Sequence, residues 1–424
     1  MAKYQAPRGT YDLLPGRAAL RREILSEAQA LLQGAGFGQI DTPVFEDSDL
    51  FVRTVGEATD IVRKEMYTFE DRGGRSLTLR PEGTAPVCRA YLEHGMHKQP
   101  QPVKLWYTGP MFRYESPQSG RYRQHSQIGA ETIGSDDAAV DAELIDLLAH
   151  LYARLGLPGV RLHLTSIGDP DSRAEYAREL REFLLSHDVF DPDQRARIEI
   201  NPMRAFDWDA PQIAAVTESA PKMIERLNEA DAAHFEEVRR MLDVAGIDYE
   251  LDPRLVRGLD YYTRTVFEFR SDALGAQSGI GGGGRYDRLI EQLGGPPTPG
   301  AGWATGLERI EHVLAEVRGE GAEDAARGIG PQFLFIVTEP QARPRVFRAM
   351  SELREEGYGA TLDLGSRSMK AQMRQAERLG APWVVIIGPQ EWERSAAAVR
   401  DMTRRDQQEV PLAALREELL RRAR

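Results

Sequence analysis

The chain has a single cysteine, Cys88, among 424 residues. One thiol excludes an internal disulfide and offers no cysteine metal cluster, so Cys88 is read as a small packed apolar residue. No apolar run approaches the roughly twenty residues that span a bilayer. No secretory leader is expected either, which points to a cytoplasmic protein without a membrane partner. Overall positive charge is also missing: 54 Lys/Arg face 66 Asp/Glu, a formal charge of −12. That balance argues against nucleic-acid binding over the whole surface. The charge is uneven, however. Residues 341–424 hold sixteen Lys/Arg and twelve Asp/Glu, leaving −16 on the rest. A mildly basic tail suits a module that touches RNA, and suits a solvated helical surface nearly as well.

What is present gathers in three blocks. The first is Arg257-Gly258-Leu259-Asp260-Tyr261-Tyr262, leading into a strand-like run predicted over 261–269. It sets a permanent cation, a turn glycine, a carboxylate and two tyrosines before a pleated segment. The second runs from Pro110-Met111-Phe112-Arg113-Tyr114-Glu115 through Ser116–Gly120 to Arg121, Arg123 and Gln127, and on to Glu131. It predicts a strand, a Pro/Gly loop and a returning strand. Four Lys/Arg against one acid between Lys104 and His125 suggest a phosphate-bearing ligand. Arg113 and Glu115, two apart on a strand, would share a face. The third block, Gly302-Trp303-Ala304-Thr305-Gly306-Leu307-Glu308-Arg309, reads as an apolar strand entering a helix. A cation in a first helical turn mildly opposes the helix dipole, so Arg309 is better explained by an anionic or aromatic ligand.

In this order the blocks resemble the class II aminoacyl-tRNA synthetases. The tyrosine-rich block is similar to that of the bacterial histidyl-tRNA synthetases. Further matches are Arg8-Gly9-Thr10 with Asp12, the run Arg80-Pro81-Glu82-Gly83-Thr84-Ala85, and Gly279 to Asp287. The glycine run also satisfies G-x-G-x-x-G, but no acid stands about twenty residues on and no βαβ unit surrounds it, so a dinucleotide site is rejected.

The resemblance implies an α+β catalytic domain with an antiparallel sheet and flanking helices, a helical insertion, and a C-terminal α/β anticodon-binding domain. The expected boundaries are 1–170 and 246–317 for the two catalytic parts, 171–245 for the insertion, 318–331 for a linker and 332–424 for the anticodon domain. A helix over 17–33, then a strand reaching Pro43, matches the dimer motif of the class, so a homodimer is expected. A further helix is predicted from about Asp136 to Leu155, and βαβ units around Phe333–Val337 and Trp383–Ile387.

The implied activity joins L-histidine to ATP as histidyl-adenylate and transfers it to tRNA(His), with Mg²⁺ on the nucleotide and no prosthetic group; metal ligands are not assigned. By the same resemblance Arg113 and Arg257 are catalytic, gripping the α-phosphate. Arg257 supplies charge where relatives of the class often place a metal ion. Glu82, Thr84, Gln127, Glu131 and Tyr262 would bind histidine. Arg113, Glu115, Arg121, His125 and Arg309 would bind ATP. Gln118, Arg123, Arg367, Lys370 and Arg374 would meet tRNA. Two departures stand out. Ser116 replaces a common arginine, which removes one acceptor-end cation. His125-Ser126 replaces Phe-His, leaving His125 to stack on adenine with less apolar area. The competing reading is a non-aminoacylating regulatory subunit of ATP phosphoribosyltransferase. Such proteins typically lack the tail and erode the tyrosine block, both of which are intact here. A generic nucleotide-binding protein explains neither Glu131 nor the tail.

Overall fold

The computed structural model describes residues 4–56, 59–115, 121–208, 210–255, 257–275, 278–319, 330–365 and 368–423. Ser116, Gln118, Arg367 and most of the 318–331 segment lie outside them. The chain forms two compact units, Met1–Glu320 and Gly321–Arg424.

In the first unit the strands are β1 (Gly38–Gln39), β2 (Phe45–Asp47), β3 (Tyr67–Glu70), β4 (Ser76–Leu79), β5 (Val103–Phe112), β6 (Gln124–Ile133), β7 (Val160–Ser166), β8 (Tyr249–Leu251), β9 (Thr263–Ser271), β10 (Gly279–Arg285) and β11 (Gly300–Gly306). Eight of them build one sheet in the order β1-β5-β6-β11-β10-β9-β7-β8, while β2, β4 and β3 form a small separate sheet. The inner pairings are antiparallel; the outer pairs β1–β5 and β7–β8 are parallel.

Alternation decides what each face carries. Trp106, Ile128, Ala130, Trp303, Phe267 and Phe269 turn to one side and join the main core. Helix Pro15–Gly34 covers it with Leu20, Ile24, Ala28 and Leu32, one residue per turn. Helix Ala138–Leu155 adds Leu144, Leu148 and Leu151. It begins two residues after Asp136 because Asp137 caps it, its carboxylate accepting from Ala139 N. Fully burying one such side chain is worth about 1.5–3 kcal/mol. Leu105, Tyr107, Met111 and Ile133 turn to the other side, with Tyr261, Tyr262 and Tyr286. That second face is where a cavity opens.

The strand after Asp260 begins at Thr263, two residues later than the pattern predicted. Tyr261 and Tyr262 therefore do not alternate: their rings lie 4.8 Å apart and both face the same cavity. The cause is a long-range bond: Tyr262 O accepts from Arg173 Nη1 at 2.7 Å, so the pleat starts only beyond Tyr262, and Arg264, inside the strand, holds a left-handed φ of 50°. Similarly β5 stops at Phe112. Arg113 and Glu115 sit in a turn in which Glu115 N bonds to Arg113 O at 2.8 Å.

Between β7 and β8, helices Pro170–Leu185, Pro192–Ile200, Pro211–Ser219 and Glu229–Ala245 follow one another. Tyr176, Leu180, Leu184, Ile198 and Ile213 give this segment a small core of its own. The second unit has strands β12 (Phe333–Val337), β13 (Ala360–Leu362), β14 (Trp383–Ile387), β15 (Ala396–Asp401) and β16 (Asp406–Pro411), ordered β13-β12-β14-β15-β16. The first three are parallel, with helices Arg343–Glu355 and Met369–Leu379 as crossovers, while β15 and β16 are added antiparallel. Lys370 and Arg374 are exposed on helix Met369–Leu379, whose buried side holds Gln372 and Ala376.

Glycine is required where strands crowd. A Cβ at Gly302 would collide with Glu131 Oε2, directly across the β6–β11 pair. Gly302→Ala is expected to cost about 1–3 kcal/mol through overpacking. Scanning calorimetry checks this: an unchanged midpoint would mean that the sheet yields at this crossing.

Candidate active site

A cavity of about 690 Å³ opens on the tyrosine-bearing face. Its wall brings together Arg113, Glu115, Arg121, His125 and Gln127 from the β5–β6 hairpin with Glu82, just before helix Thr84–Glu93, and Thr84, the first residue of that helix. Arg257 and Tyr262 come from the segment before β9, and Arg309 from the first turn of helix Leu307–Arg318. Arg123 does not line it: the guanidinium lies 3.7 Å above the Tyr114 ring, and Nε donates to Glu115 O. Lys370 and Arg374 belong to the other unit.

Each cation is braced. Arg113 Nε donates to Pro81 O at 2.8 Å, and its Nη1 lies 3.8 Å from Glu115. Arg121 reaches Glu115 at 3.1 Å. Arg257 donates to Glu268 Oε1 at 2.8 Å, while Arg270 holds the other oxygen of that carboxylate at 2.8 Å. Arg309 donates to Gly279 O; burial, with Arg121 nearby, lowers its proton affinity. Guanidinium groups held in a low-dielectric cleft attract phosphate strongly, because little water screens them and their orientation is already set. Glu115 and Glu268 temper that charge and fix where the cations point.

The glycine-lined end has a different chemistry. Glu82 accepts from the amides of Thr84 at 2.7 Å and Ala85 at 2.9 Å, so it caps helix Thr84–Glu93. Gln127 leaves its buried Oε1 without a hydrogen-bond partner among the described residues, an acceptor ready for a ligand N–H. Glu131 is fully buried and stands behind the wall rather than in it. Its carboxylate takes hydroxyls from Thr84 (2.7 Å), Tyr286 (2.7 Å) and Tyr107 (3.3 Å). Tyr107 fits because Gly83 and Gly129 flank its ring, where any Cβ would collide. Burial pushes the Glu131 carboxyl up to about 8, with Glu82 adding to the effect despite the three hydroxyls. Glu131 thus keeps its proton at neutral pH.

Several members of the site were not singled out from sequence. Glu308 accepts from Ser126 N through both oxygens at 2.9 Å, from Tyr11 at 2.5 Å and from Arg21 at 3.0 Å. It thereby locks the residue beside His125 to the helix that carries Arg309. Glu268 could have been suspected as an acid two residues from Arg270. Nothing local marks Tyr107 or Glu308.

His125 is pushed down to about 3, chiefly by burial and then by Arg113 and Arg309, so it enters the site as a neutral ring.

An antiparallel sheet with arginines from a hairpin and from a helix's first turn converging on one cleft is the arrangement of the class II aminoacyl-tRNA synthetases. Residues 9–310 match the family model described as histidyl-tRNA synthetase, and residues 332–422 that of the anticodon binding domain. The histidine–tRNA ligase of Rubrobacter xylanophilus is 46% identical over 417 residues, covering 96% of each chain. The apo histidyl-tRNA synthetase of S. aureus superposes with a TM-score of 0.81 at 38% identity, covering 98% of this chain and 99% of that one. An ATP phosphoribosyltransferase regulatory subunit/histidyl-tRNA synthetase from Bacillus halodurans C is 20% identical at a TM-score of 0.64, over 88% of this chain and 97% of that one, a likeness of fold alone. The chain belongs to the histidyl-tRNA synthetase family.

Two pH windows follow from the buried groups. Glu131 keeps its proton in the fold up to about 8 but loses it near 4.5 when unfolded. The unfolded chain therefore binds fewer protons in this window, and stability falls as pH rises from 4.5 to 8. Glu131→Gln should flatten that decline in urea titrations; an identical slope would show that Glu131 is ionised in the fold. His125 acts with the opposite sign: the unfolded ring charges below 6.5 while the folded one resists until about 3, so stability is lost as pH falls through that range. His125→Phe should relieve the acid-side loss and leave the KM for ATP unchanged or lower. A large loss of adenylate formation in that variant would remove the stacking role.

Proposed function

We infer that this cleft activates L-histidine with ATP and passes the histidyl group to the 3′ end of tRNA(His), releasing AMP and pyrophosphate. The observation that carries the reading is the convergence of Arg113, Arg257 and Arg309 on a cleft whose other end is closed by Thr84, Gln127, Tyr262 and the Glu131 cluster.

Histidine lies at the glycine-lined end. Its α-ammonium meets Glu82, Thr84 and Gln127, whose buried Oε1 takes an ammonium proton. Its imidazole meets Tyr262, with Glu131 acting from behind through the hydroxyls of Thr84, Tyr107 and Tyr286. A ring with one donor and one acceptor satisfies such a wall, and side chains lacking them leave buried polar groups unpaired. The histidine carboxylate then attacks the α-phosphorus and pyrophosphate departs. No side chain needs to bond to the substrate, so the work is positioning and charge neutralisation. Arg113 and Arg257 grip the α-phosphate, the latter exchanging part of its Glu268 contact for phosphate oxygen. Arg121 and Arg309 face the outer phosphates and the adenine, and His125 stacks on the base. Mg²⁺ would arrive with ATP as part of that substrate and would offset charge on the departing pyrophosphate. Gln118 and Arg123 serve the acceptor end of the tRNA, and Lys370, Arg374 and Arg367 its anticodon.

The active form is a homodimer. Val44, Phe45 and Phe69, each at least 39% exposed beside the small β2-β4-β3 sheet just after Pro43, supply an apolar face that a second copy would cover. Among the described residues no helix is long and apolar enough to cross a membrane. The regulatory-subunit reading explains neither the 46% identity to a tRNA ligase over the whole length nor the matched anticodon domain.

Arg257→Gln tests the assignment of chemistry to this cleft. Removing one preset cation from a developing charge costs about 3–4 kcal/mol, or 10²–10³-fold in rate. Single-turnover adenylate formation should fall by that factor with the histidine KM little changed. A KM effect alone would make Arg257 a binding residue rather than a catalytic one.

A further inference from the structure

Glu268 is the point at which two arginines meet. Arg257 Nη1 donates to its Oε1 at 2.8 Å, and Arg270 Nε donates to its Oε2 at 2.8 Å. All three residues line the cavity. Glu268 and Arg270 lie two apart on β9 and so share a face of the sheet. On the neighbouring strand, a Cβ at Gly279 would come within 2.9 Å of Glu268 Oε1, so the glycine leaves the carboxylate its room.

Arg270 is itself held from outside the cavity wall. Its Nη1 donates to Asp252 Oδ2 at 2.9 Å. Asp252 directly follows β8, and its N–H bonds to Leu164 O of β7 at 3.0 Å. Arg270 Nη1 also stands 3.3 Å from His163 Nδ1. A guanidinium only donates, so His163 accepts there as a neutral ring. Burial, with Arg270 beside it, lowers the proton affinity of that ring in the same sense. The result is a row of alternating charge, Arg257, Glu268, Arg270 and Asp252, whose side chains are between 13% and 28% exposed. Water screens such pairs only in part.

This sharing bears on Arg257. A carboxylate can offer both oxygens to one guanidinium, which makes the strongest pair of this kind. Here the second oxygen is taken, and the charge of Glu268 is divided between two cations. Arg257 is aimed by one oxygen and keeps an interest in another anion. Without Arg270, Glu268 would close on Arg257 with both oxygens and hold it more tightly.

We propose that Arg270, anchored by Asp252, is a positioning residue for histidine activation: by keeping Glu268 shared, it leaves Arg257 able to turn to the α-phosphate. Arg270 acts through Glu268 and not by touching the nucleotide. This role rests on the reading of Arg257 as an α-phosphate ligand, whereas the sharing of Glu268 does not.

The test uses the full-length protein and single-turnover formation of histidyl-adenylate. Arg270→Met should slow that step about tenfold, a coupling of the size found between groups in contact, and should leave the histidine KM unchanged. Glu268→Gln carries no charge to trap Arg257, so adding Arg270→Met to it should change the rate by less than about twofold. Asp252→Asn keeps Arg270 but loosens it and should slow the step about threefold, which keeps the test decisive if Arg270→Met does not fold. Arg161→Gln, an exposed arginine opposite Arg270 on β7 and paired with Asp272, should leave the rate unchanged. An equal loss from Arg270→Met with and without Glu268→Gln overturns the proposal, since Arg270 would then act directly on the substrate. A raised KM for ATP at an unchanged rate overturns it for the same reason. So does an equal loss in Arg161→Gln, or an unaltered rate in Asp252→Asn. A second readout needs no chemistry. In urea unfolding, the coupling between Arg257→Gln and Glu268→Gln should be larger in the Arg270→Met background than in the unaltered chain; an equal or smaller coupling overturns the sharing of Glu268. That cycle is decisive whether or not adenylate forms, while an unaltered protein that makes no adenylate would overturn the reading of the cleft and, with it, the effect on activation.

Discussion

Everything in the first cleft depends on how closely three strands approach around β10. A Cβ at Gly283 would collide with Gly302 O, and one at Gly284 would come within 2.5 Å of Thr265 O. Gly282 has Phe267 O at 2.5 Å and Arg257 Nη1 at 2.9 Å. The strand is therefore bare by necessity, and its bareness creates the floor on which a substrate can lie. The same crowding puts Gly302 opposite Glu131, which leaves room for a buried carboxylate where a side chain would otherwise fill the layer.

On that floor the balance of charge decides the chemistry. Arginines lining the cleft would repel one another if left bare, so Glu115 and Glu268 hold them apart and aimed. A polyphosphate would replace part of that compensation with a stronger, multidentate partner. The opposite end carries two carboxyls that form no ion pair among the described residues, with Arg113 acting on Glu82 from a distance. Glu82 is held by helix amides and Glu131 by three hydroxyls, and burial raises both. A neutral imidazole and an ammonium suit that end, and a triphosphate does not. The proposed placement of the two substrates would therefore sort them by polarity before any contact specific to either. Behind its wall, Arg173 ties the backbone of Tyr262 to the inserted helices, so this cleft tyrosine is held from outside the sheet.

Much of this was legible in the residues, and the rest was not, for definite reasons. Arg113, Arg257 and Arg309 stand out because each sits beside a turn or a helix start where local structure gives a cation no purpose. The β5–β6 hairpin and the buried runs of the second unit follow from pattern and turn chemistry alone. Alternation failed at Tyr261 and Tyr262, because a bond from Arg173, far off in the inserted helices, overrides the pleat there. Glu308 meets Tyr11 and Arg21 across 297 and 287 residues, a pairing that no local spacing encodes. Glu131 could be named as a site residue, yet its place behind Thr84, Tyr107 and Tyr286 depends on the register of β6 with β11. Arg123 carries the same charge as its neighbours but is drawn onto the Tyr114 ring, away from the cleft.

The central claim is that one cleft selects histidine and activates it with ATP before tRNA takes part. Pyrophosphate exchange into ATP, measured on the full-length protein without tRNA and with each of the twenty amino acids in turn, tests this most directly. The account predicts exchange with histidine and none above background with the other nineteen. Exchange with a different amino acid, or none with histidine in a folded protein that binds it, would contradict the account.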